Sequence, residues 1–350
     1  RSNEKYVELL SDALSTRSIW YYYDDCMFLA STSQRAIIYF LRGYEFNRNV
    51  IPWMLATGSL GPGYSWDRRL KYLSGDSNLL LDRSRWQIST FTTPVNFVSK
   101  NRAIGGHRDA LLNAIFHSLD SLNLDYSKWR LPLSGGYDSR AILLMLKERK
   151  ELKCVTWGLK KSQFEQGNDA YIARRLAEYF GKDHAFYSTD INQEPIERIF
   201  KRFLICGEGR VDNVSAYMDG FKIWKQLFEE GIEGVIRGDE GFGGQAASSD
   251  LRVRLNMKFP LLSDFKNISN FNDYHIPRQT IPDFLTKKNG ESFESWRDRV
   301  YYQYEIPFIF AALNDLKLSF VEVVNPFLFR SVLDVVRSIP DDLRTNKKLF

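Results

Sequence analysis

The stretch from Leu131 to Leu144, Leu-Pro-Leu-Ser-Gly-Gly-Tyr-Asp-Ser-Arg-Ala-Ile-Leu-Leu, constrains this chain more than any other. It reads as the apolar end of a strand, a loop of small residues and an apolar-periodic helix. Two adjacent glycines, Gly135 and Gly136, let backbone N–H groups approach a ligand with no Cβ in the way. The helix that follows aims its unpaired N–H groups and the positive end of its dipole at the same point. That is an anion site, and phosphate is the anion it suits best. Ser134 and Ser139 add hydroxyl donors. Asp138 would repel a phosphate unless a magnesium ion lay between them. The spacing is not that of a Walker loop, which has four residues between its glycines and then Gly-Lys-Ser/Thr. The plainer reading is a glycine turn in an ordinary α/β domain.

Around this loop the pattern alternates. A helical face runs from Leu111 to Leu122, and strands are expected at Leu131–Leu133, Cys154–Trp157, Ala185–Tyr187 and Gly234–Arg237. Helices are expected over Arg140–Lys147, Asp169–Phe180 and Tyr217–Phe228. Alternation of this kind means an α/β domain with a parallel sheet and right-handed crossovers. Ligands in such sheets bind beyond the carboxyl ends of the strands, so the loops after Leu133, Trp157 and Arg237 should share one crevice. Residues 250–313 read as helical, with Trp296–Leu313 interrupted at Pro307. The first hundred residues read as β-rich, with strands at Ser18–Tyr23, Cys26–Ala30, Ala36–Leu41, Leu79–Leu81 and Trp86–Ile88. A helix over Val50–Thr57 should end at Gly58. A loop at Gly105–Gly106 would separate a β-rich domain, 1–104, from the α/β domain, 105–350.

The length of 350 residues fits two domains, and a net charge of +5 is mild. It suits an anionic substrate such as a nucleotide, but there is no basic array of the nucleic-acid-binding kind. Cys26, Cys154 and Cys206 are spaced for neither zinc nor a disulfide framework. No signal peptide or membrane-length apolar run is visible, so a cytoplasmic protein without nucleic-acid or membrane partners is expected. The chain stops at Phe350 in what reads as a helix start, as a piece of a longer protein would.

A second glycine-rich run, Arg237-Gly238-Asp239-Glu240-Gly241-Phe242-Gly243-Gly244, follows the last of these strands. If the crevice exists, Asp239 faces Asp138, and two carboxylates converging on phosphate oxygens would hold magnesium. The alternative is an acidic surface turn. The Ser134–Ser139 loop resembles the Ser-Gly-Gly-x-Asp-Ser pyrophosphate loop of ATP pyrophosphatases, which cleave ATP between the α and β phosphates. The whole order from 105 to 350 resembles the synthetase domain of asparagine synthetase and its relatives, the β-lactam synthetases and lasso-peptide cyclases. Gly238-Asp239-Glu240 with Phe242-Gly243-Gly244 is similar to that family's Ser-Gly-Glu-Gly-Ser-Asp-Glu-x-Phe-Gly-Gly. Glu322-Val323-Val324-Asn325-Pro326-Phe327-Leu328 is similar to its Glu-Thr-Arg-Val-Pro-Phe-Leu-Asp, and Ser338-Ile339-Pro340 with Lys347-Lys348 to the stretch beyond. The first hundred residues resemble the second half of the family's glutaminase domain, through Tyr21–Tyr39 and Leu60-Gly61-Pro62-Gly63.

There are three departures. Arg1 stands where the glutaminase has its nucleophilic cysteine, so either the true N-terminus is missing or glutamine hydrolysis is lost; Cys26, inside an expected strand with no free α-amino group, is no substitute. The Gly238 loop is about three residues shorter than the family's, which removes the Glu or Tyr that faces the acceptor. Asn325 and Phe329 replace the residues that flank Pro-Phe-Leu.

The resemblance implies an ATP-dependent ligase that adenylates a carboxylate and passes it to an amine or ammonia, with ATP and Mg2+ required. Leu133, Ser134, Gly135, Gly136, Asp138, Ser139, Thr156, Trp157, Gly158, Arg237 and Gly238 would hold ATP, with adenine near Val155–Gly158. Asp138 and Asp239 would hold the metal. Glu322, Asp239 and Arg140 are the candidates for catalysis. Glu322 reads equally as a buried ion-pair member. Arg140 reads nearly as well as a surface arginine paired to Glu148 or Asp169. A homodimer or a biosynthetic partner protein stays open. The competing function is a degenerate nucleotide-binding scaffold; a tRNA-modifying pyrophosphatase lacks the cysteine pair and basic tract it would need.

Overall fold

The computed structural model describes residues 1–191, 193–239, 241–265 and 275–350. Glu240, quoted above in the second loop, lies outside the described residues.

The first part of the chain runs β1 (Tyr6–Leu10), β2 (Trp20–Tyr23), β3 (Phe28–Ser31), α1 (Gln34–Leu41), α2 (Val50–Thr57), β4 (Lys71–Tyr72), β5 (Ser77–Asp82) and β6 (Gln87–Thr92). It forms two antiparallel three-stranded sheets, ordered β1-β5-β6 and β3-β2-β4. Along β5 the burial alternates, with Leu79 and Leu81 inward, as a half-buried strand requires. α2 ends at Gly58 in the left-handed region, at φ +67°.

The expected strand at Ala36–Leu41 is a helix, α1. Its β-branched and aromatic content argues for a strand, but tertiary contacts override that preference. The Ser33 side chain caps it by accepting from Ala36 N, and the Glu208 carboxylate accepts from Gln34 N at 3.0 Å and Arg35 N at 3.1 Å. A carboxylate at a helix amino end is stabilising, and this one arrives from over 170 positions away. Cys26 lies in the turn before β3 rather than inside a strand, and it is exposed. Its hydrogen bond to Asp24 raises its pKa, which disfavours the thiolate.

Gly105 and Gly106 form no loop. They lie in the first turn of α3 (Ile104–Asp120). There follow β7 (Trp129–Pro132), α4 (Tyr137–Met145), β8 (Lys153–Gly158), α5 (Asp169–Tyr179), β9 (His184–Ser188), α6 (Ile196–Gly207), α7 (Lys222–Glu229) and β10 (Gly234–Ile236). The helix expected from Tyr217 begins instead at Lys222, after Phe221 takes a left-handed conformation. After α8 (Asp250–Asn256), one continuous helical rod comprises α9 (Phe293–Val300), a π-helix (Tyr301–Phe310) and α10 (Ala311–Leu318). Pro307 does not interrupt it; the ten residues around it are wound as a π-helix. The rod leads to β11 (Glu322–Val324), then α11 (Arg330–Val336) and α12 (Asp341–Arg344).

β7 to β11 form one all-parallel sheet ordered β11-β10-β7-β8-β9. Its central strands are apolar on both sides. Val155 and Val235 face a cluster with Phe203, Trp224, Leu227 and Leu316, whereas Cys154 and Ile236 face one with Ile142, Leu143, Ala173 and Val332. Neighbouring residues thus serve opposite helix layers, and each fully buried Leu or Ile contributes ~1.5–3 kcal/mol. The chain enters at β7, winds outward to β8 and β9, then returns to β10 and β11 on the other side. The loops after β7 and β10 therefore leave adjacent strands in opposite directions, which opens a crevice between them.

Candidate functional site

At that switch point lies a cavity of about 260 Å3. Of the residues expected from the sequence, Leu133, Ser134, Asp138, Ser139, Thr156, Trp157, Arg237, Gly238 and Asp239 line it, and Pro132 and Asp169 join them.

The first loop is braced by its own small residues. Ser139 Oγ accepts from Ser134 N at 3.1 Å, Ser134 Oγ accepts from Gly136 N at 3.1 Å, and the two hydroxyls lie 3.0 Å apart. Gly135 N donates to Asp169 Oδ1 at 3.2 Å, and a Cβ at Gly135 would stand 2.6 Å from that oxygen. Gly136 is the residue before α4, so Asp138 and Ser139 occupy that helix's first turn, where its dipole end is positive. Thr156 Oγ1 donates to Leu133 O at 2.6 Å, which leaves His184 Nε2, 2.9 Å away, as donor to the threonine. Burial, then Arg174, lowers the His184 pKa and keeps the ring neutral for that role.

The second loop closes against the first. A Cβ on Gly238 would lie 3.1 Å from the Asp138 backbone carbon, so a glycine is what lets the two turns touch. Arg237 donates to Asp239 Oδ1 at 2.9 Å, and Asp239 N points at Asn325 Oδ1 at 3.4 Å. Behind them Lys317 is buried, with Nζ 3.2 Å from Asn314 Oδ1. Burial and then Arg237 push its ammonium well below the usual lysine range.

Three expected residues fall beside the cavity rather than in its lining. Gly135 and Gly136 shape the loop from behind, and Gly158 ends β8 with Ser162 Oγ 2.8 Å from where its Cβ would be. Two expected residues are not brought to the site. Arg140 turns outward: its guanidinium donates to Gly135 O at 2.7 Å and lies 5.0 Å from the Tyr137 ring centroid, so neither Glu148 nor Asp169 is its hydrogen-bond partner. Glu322 opens β11 in register with Gly234, and Gly234 with Trp129, at the amino ends of their strands. The cavity lies at the carboxyl ends. Glu322 is 60 % exposed and ion-paired with Arg17 instead.

Lys347 is the residue that sequence reasoning passed over. Its Nζ donates to both Asp138 oxygens, at 2.9 and 2.7 Å. In the sequence it stands only within the stretch similar to the family's; a lysine in the segment after Pro-Phe-Leu is the available signal. Among the described residues no group of three or more His, Cys, Asp or Glu side chains could hold a metal ion. Asp138 and Asp239 still fit magnesium, which is commonly bound by one or two carboxylates together with substrate phosphates. The Asp138 carboxylate is paired with the Lys347 ammonium. Among the described residues no helix is long and apolar enough to cross a membrane.

No curated protein matches the sequence. Among solved structures the chain is similar to an NH3-dependent NAD synthetase from Campylobacter jejuni subsp. jejuni NCTC 11168, in complex with the nitrate ion, at 15% identity and a TM-score of 0.26. The likeness covers 46% of this chain and 62% of that one, less than two thirds of its length. The asparagine synthase family model matches residues 131–309, from the strand before the first glycine loop into the π-helix. That match takes in just over half of the chain, which therefore belongs to the asparagine synthase family.

Proposed function

We propose that this protein is an ATP-dependent amide-forming ligase that activates a carboxylate as its adenylate and transfers the acyl group to an amine or ammonia. The observation that carries the reading is the closure of two glycine loops on one cavity at the sheet's switch point, with Asp138 and Asp239 both in its lining. The family membership supports the same class of reaction.

In the proposed sequence, a substrate carboxylate oxygen attacks the α phosphorus and the bond to the β-phosphate oxygen breaks, releasing pyrophosphate. The amine nitrogen then attacks the acyl carbon, loses a proton, and expels AMP. The Ser134 and Ser139 hydroxyls and the α4 amino end would bind the β and γ phosphates. Thr156 and Trp157 would flank the nucleoside. Asp138 and Asp239 would hold magnesium, which supplies charge neutralisation on the phosphates. Lys347, leaving Asp138, would bind a phosphate oxygen as charge builds there. Catalysis in this scheme is positioning and charge stabilisation. Residues 1–104 are proposed to be a glutaminase-like domain, without an assigned nucleophile in this sequence.

Exchange of labelled pyrophosphate into ATP, run over a panel of carboxylates, tests the reading. Exchange that depends on one class of carboxylate is the expected result. ATP binding with no exchange for any carboxylate would leave a nucleotide-binding scaffold instead.

A further inference from the structure

On the far side of the Gly243–Gly244 ledge lies a second cavity, of about 360 Å3, with Asn256, Asp298, Tyr301, Glu305 and Phe310 in its walls. The π-helix builds one wall. With roughly 4.4 residues per turn, as i→i+5 bonding implies, positions 301, 305 and 310 stack on one stripe. On an α-helix Phe310 would lie about 140° around from Glu305. The irregular helix therefore places an aromatic ring beside a carboxylate on one cavity wall.

Glu305 is only 4 % exposed. Among the described residues its one charged partner is Lys258, with Nζ 3.0 Å from Oε1. That lysine is 53 % exposed, and its ammonium also lies 5.2 Å from the Phe310 ring centroid. A carboxylate has about four lone-pair sites, so a single contact leaves most of its capacity unused. Asp298, by contrast, is taken up by Arg297 and Arg344. Asn256 Nδ2, at the end of α8 in the cavity lining, is buried with no hydrogen-bond partner among the described residues. A buried carboxylate against an aromatic face is a receptor for an organic cation. Lys258 makes the contacts such a cation would make, from a chain that can swing into solvent. The ledge is thin: a Cβ on Gly243 would stand 2.2 Å from Lys347 Cγ, and Lys347 reaches through to Asp138. The two cavities are one lysine side chain apart.

We propose that the Glu305 cavity binds an alkylammonium group carried by the substrate that reacts in the phosphate cavity, displacing Lys258. That this substrate reacts there rests on the ligase reading; the cation site does not.

Titration calorimetry of the purified chain with 1,5-diaminopentane, 1,5-pentanediol and glutarate at low ionic strength tests it. The diamine should bind saturably and the diol and glutarate should not. Glu305→Gln keeps the side-chain volume and removes a buried charge, so it should melt no lower than the wild type while binding the diamine about tenfold or more weaker. Lys258→Met removes the tethered competitor and should tighten the diamine by about threefold or more. Equal diamine affinity in the wild type and Glu305→Gln overturns the proposal, as does weaker binding by Lys258→Met or preferential binding of glutarate. Pyrophosphate exchange is scored separately. Exchange without diamine binding removes this site and keeps the ligase; diamine binding without exchange keeps the site and removes the ligase.

Discussion

The two glycine loops that meet at Gly238 are held in opposite ways. The first is tied mostly to itself, by Ser134 to Ser139, Gly136 to Ser134 and Arg140 to Gly135, all within five positions. The second is a cast of remote parts. Arg297 Nη1 donates to Gln245 O at 2.6 Å, and its Nε would be 2.6 Å from a Cβ on Gly244. Tyr302 and Leu333 press on Gly241, the Lys347 stem lies on Gly243, and Asn325 reaches Asp239 N. A glycine turn proposed to bind phosphate can thus be written into one short stretch, whereas the wall facing it depends on segments 52 to 104 positions further on. Damage should follow the same division.

The largest effect is expected at Asp298, which holds Arg297 at 2.7 Å and Arg344 at 2.9 Å in the interior. Asp298→Ala leaves the buried Arg297 guanidinium without its carboxylate and Arg344 with Asp341 alone, and should cost about 3–5 kcal/mol in urea unfolding. The matching strut of the first loop, Asp169, is exposed and gives Gly135 one hydrogen bond. Asp169→Ala should cost about 1 kcal/mol or less. Equal losses would end the contrast between a cast loop and a self-tied one.

Next in size is the chemistry. Asp138→Ala and Asp239→Ala should each lower pyrophosphate exchange by about 10²–10³-fold, the usual loss on removing a preorganised charge contact, with circular dichroism unchanged. Wild-type exchange in either variant would remove that carboxylate from the proposed metal and phosphate site. Smaller again is Gly243→Ala. Its φ of +91° is unfavourable for any side chain, and the new methyl would stand 2.2 Å from Lys347 Cγ. A stability loss of about 1–2 kcal/mol is expected, with a raised KM for ATP as Lys347 is displaced. Unchanged KM would separate Lys347 from nucleotide binding.

How far the sequence could be read follows from the same contrast. The strand, loop and helix from Leu131 to Leu144 were legible because their period and small residues act locally. So were β8, α5, β9 and β10. α1 was misread because Glu208, which sits on its amino end, is remote in sequence. β11 was read only as part of a buried matching segment: three residues are too few to show a period, and its place as an edge strand depends on pairing with β10. Lys347 stayed hidden for a similar reason. It meets Asp138 only because the 345–347 turn folds back, with Asn346 N bonded to Gly244 O at 3.0 Å.

Glu322 gives the sharpest small test, because motif likeness and geometry disagree about it. Its sequence context matched a segment expected near the acceptor, yet the register Glu322–Gly234–Trp129 places it at the sheet's amino edge. Parallel strands rise about 3.3 Å per residue, so the two residues of β11 after Glu322 and then Asn325 carry the chain roughly 10 Å toward the cavity. Its partner Arg17 is 37 % exposed, and an ion pair of that exposure contributes about 0–1 kcal/mol. Glu322→Gln should therefore leave exchange at the wild-type rate and shift stability by less than about 1 kcal/mol. A hundredfold loss of exchange would mean that the sheet's amino edge takes part in the reaction, and the division of labour between its two ends would have to be redrawn.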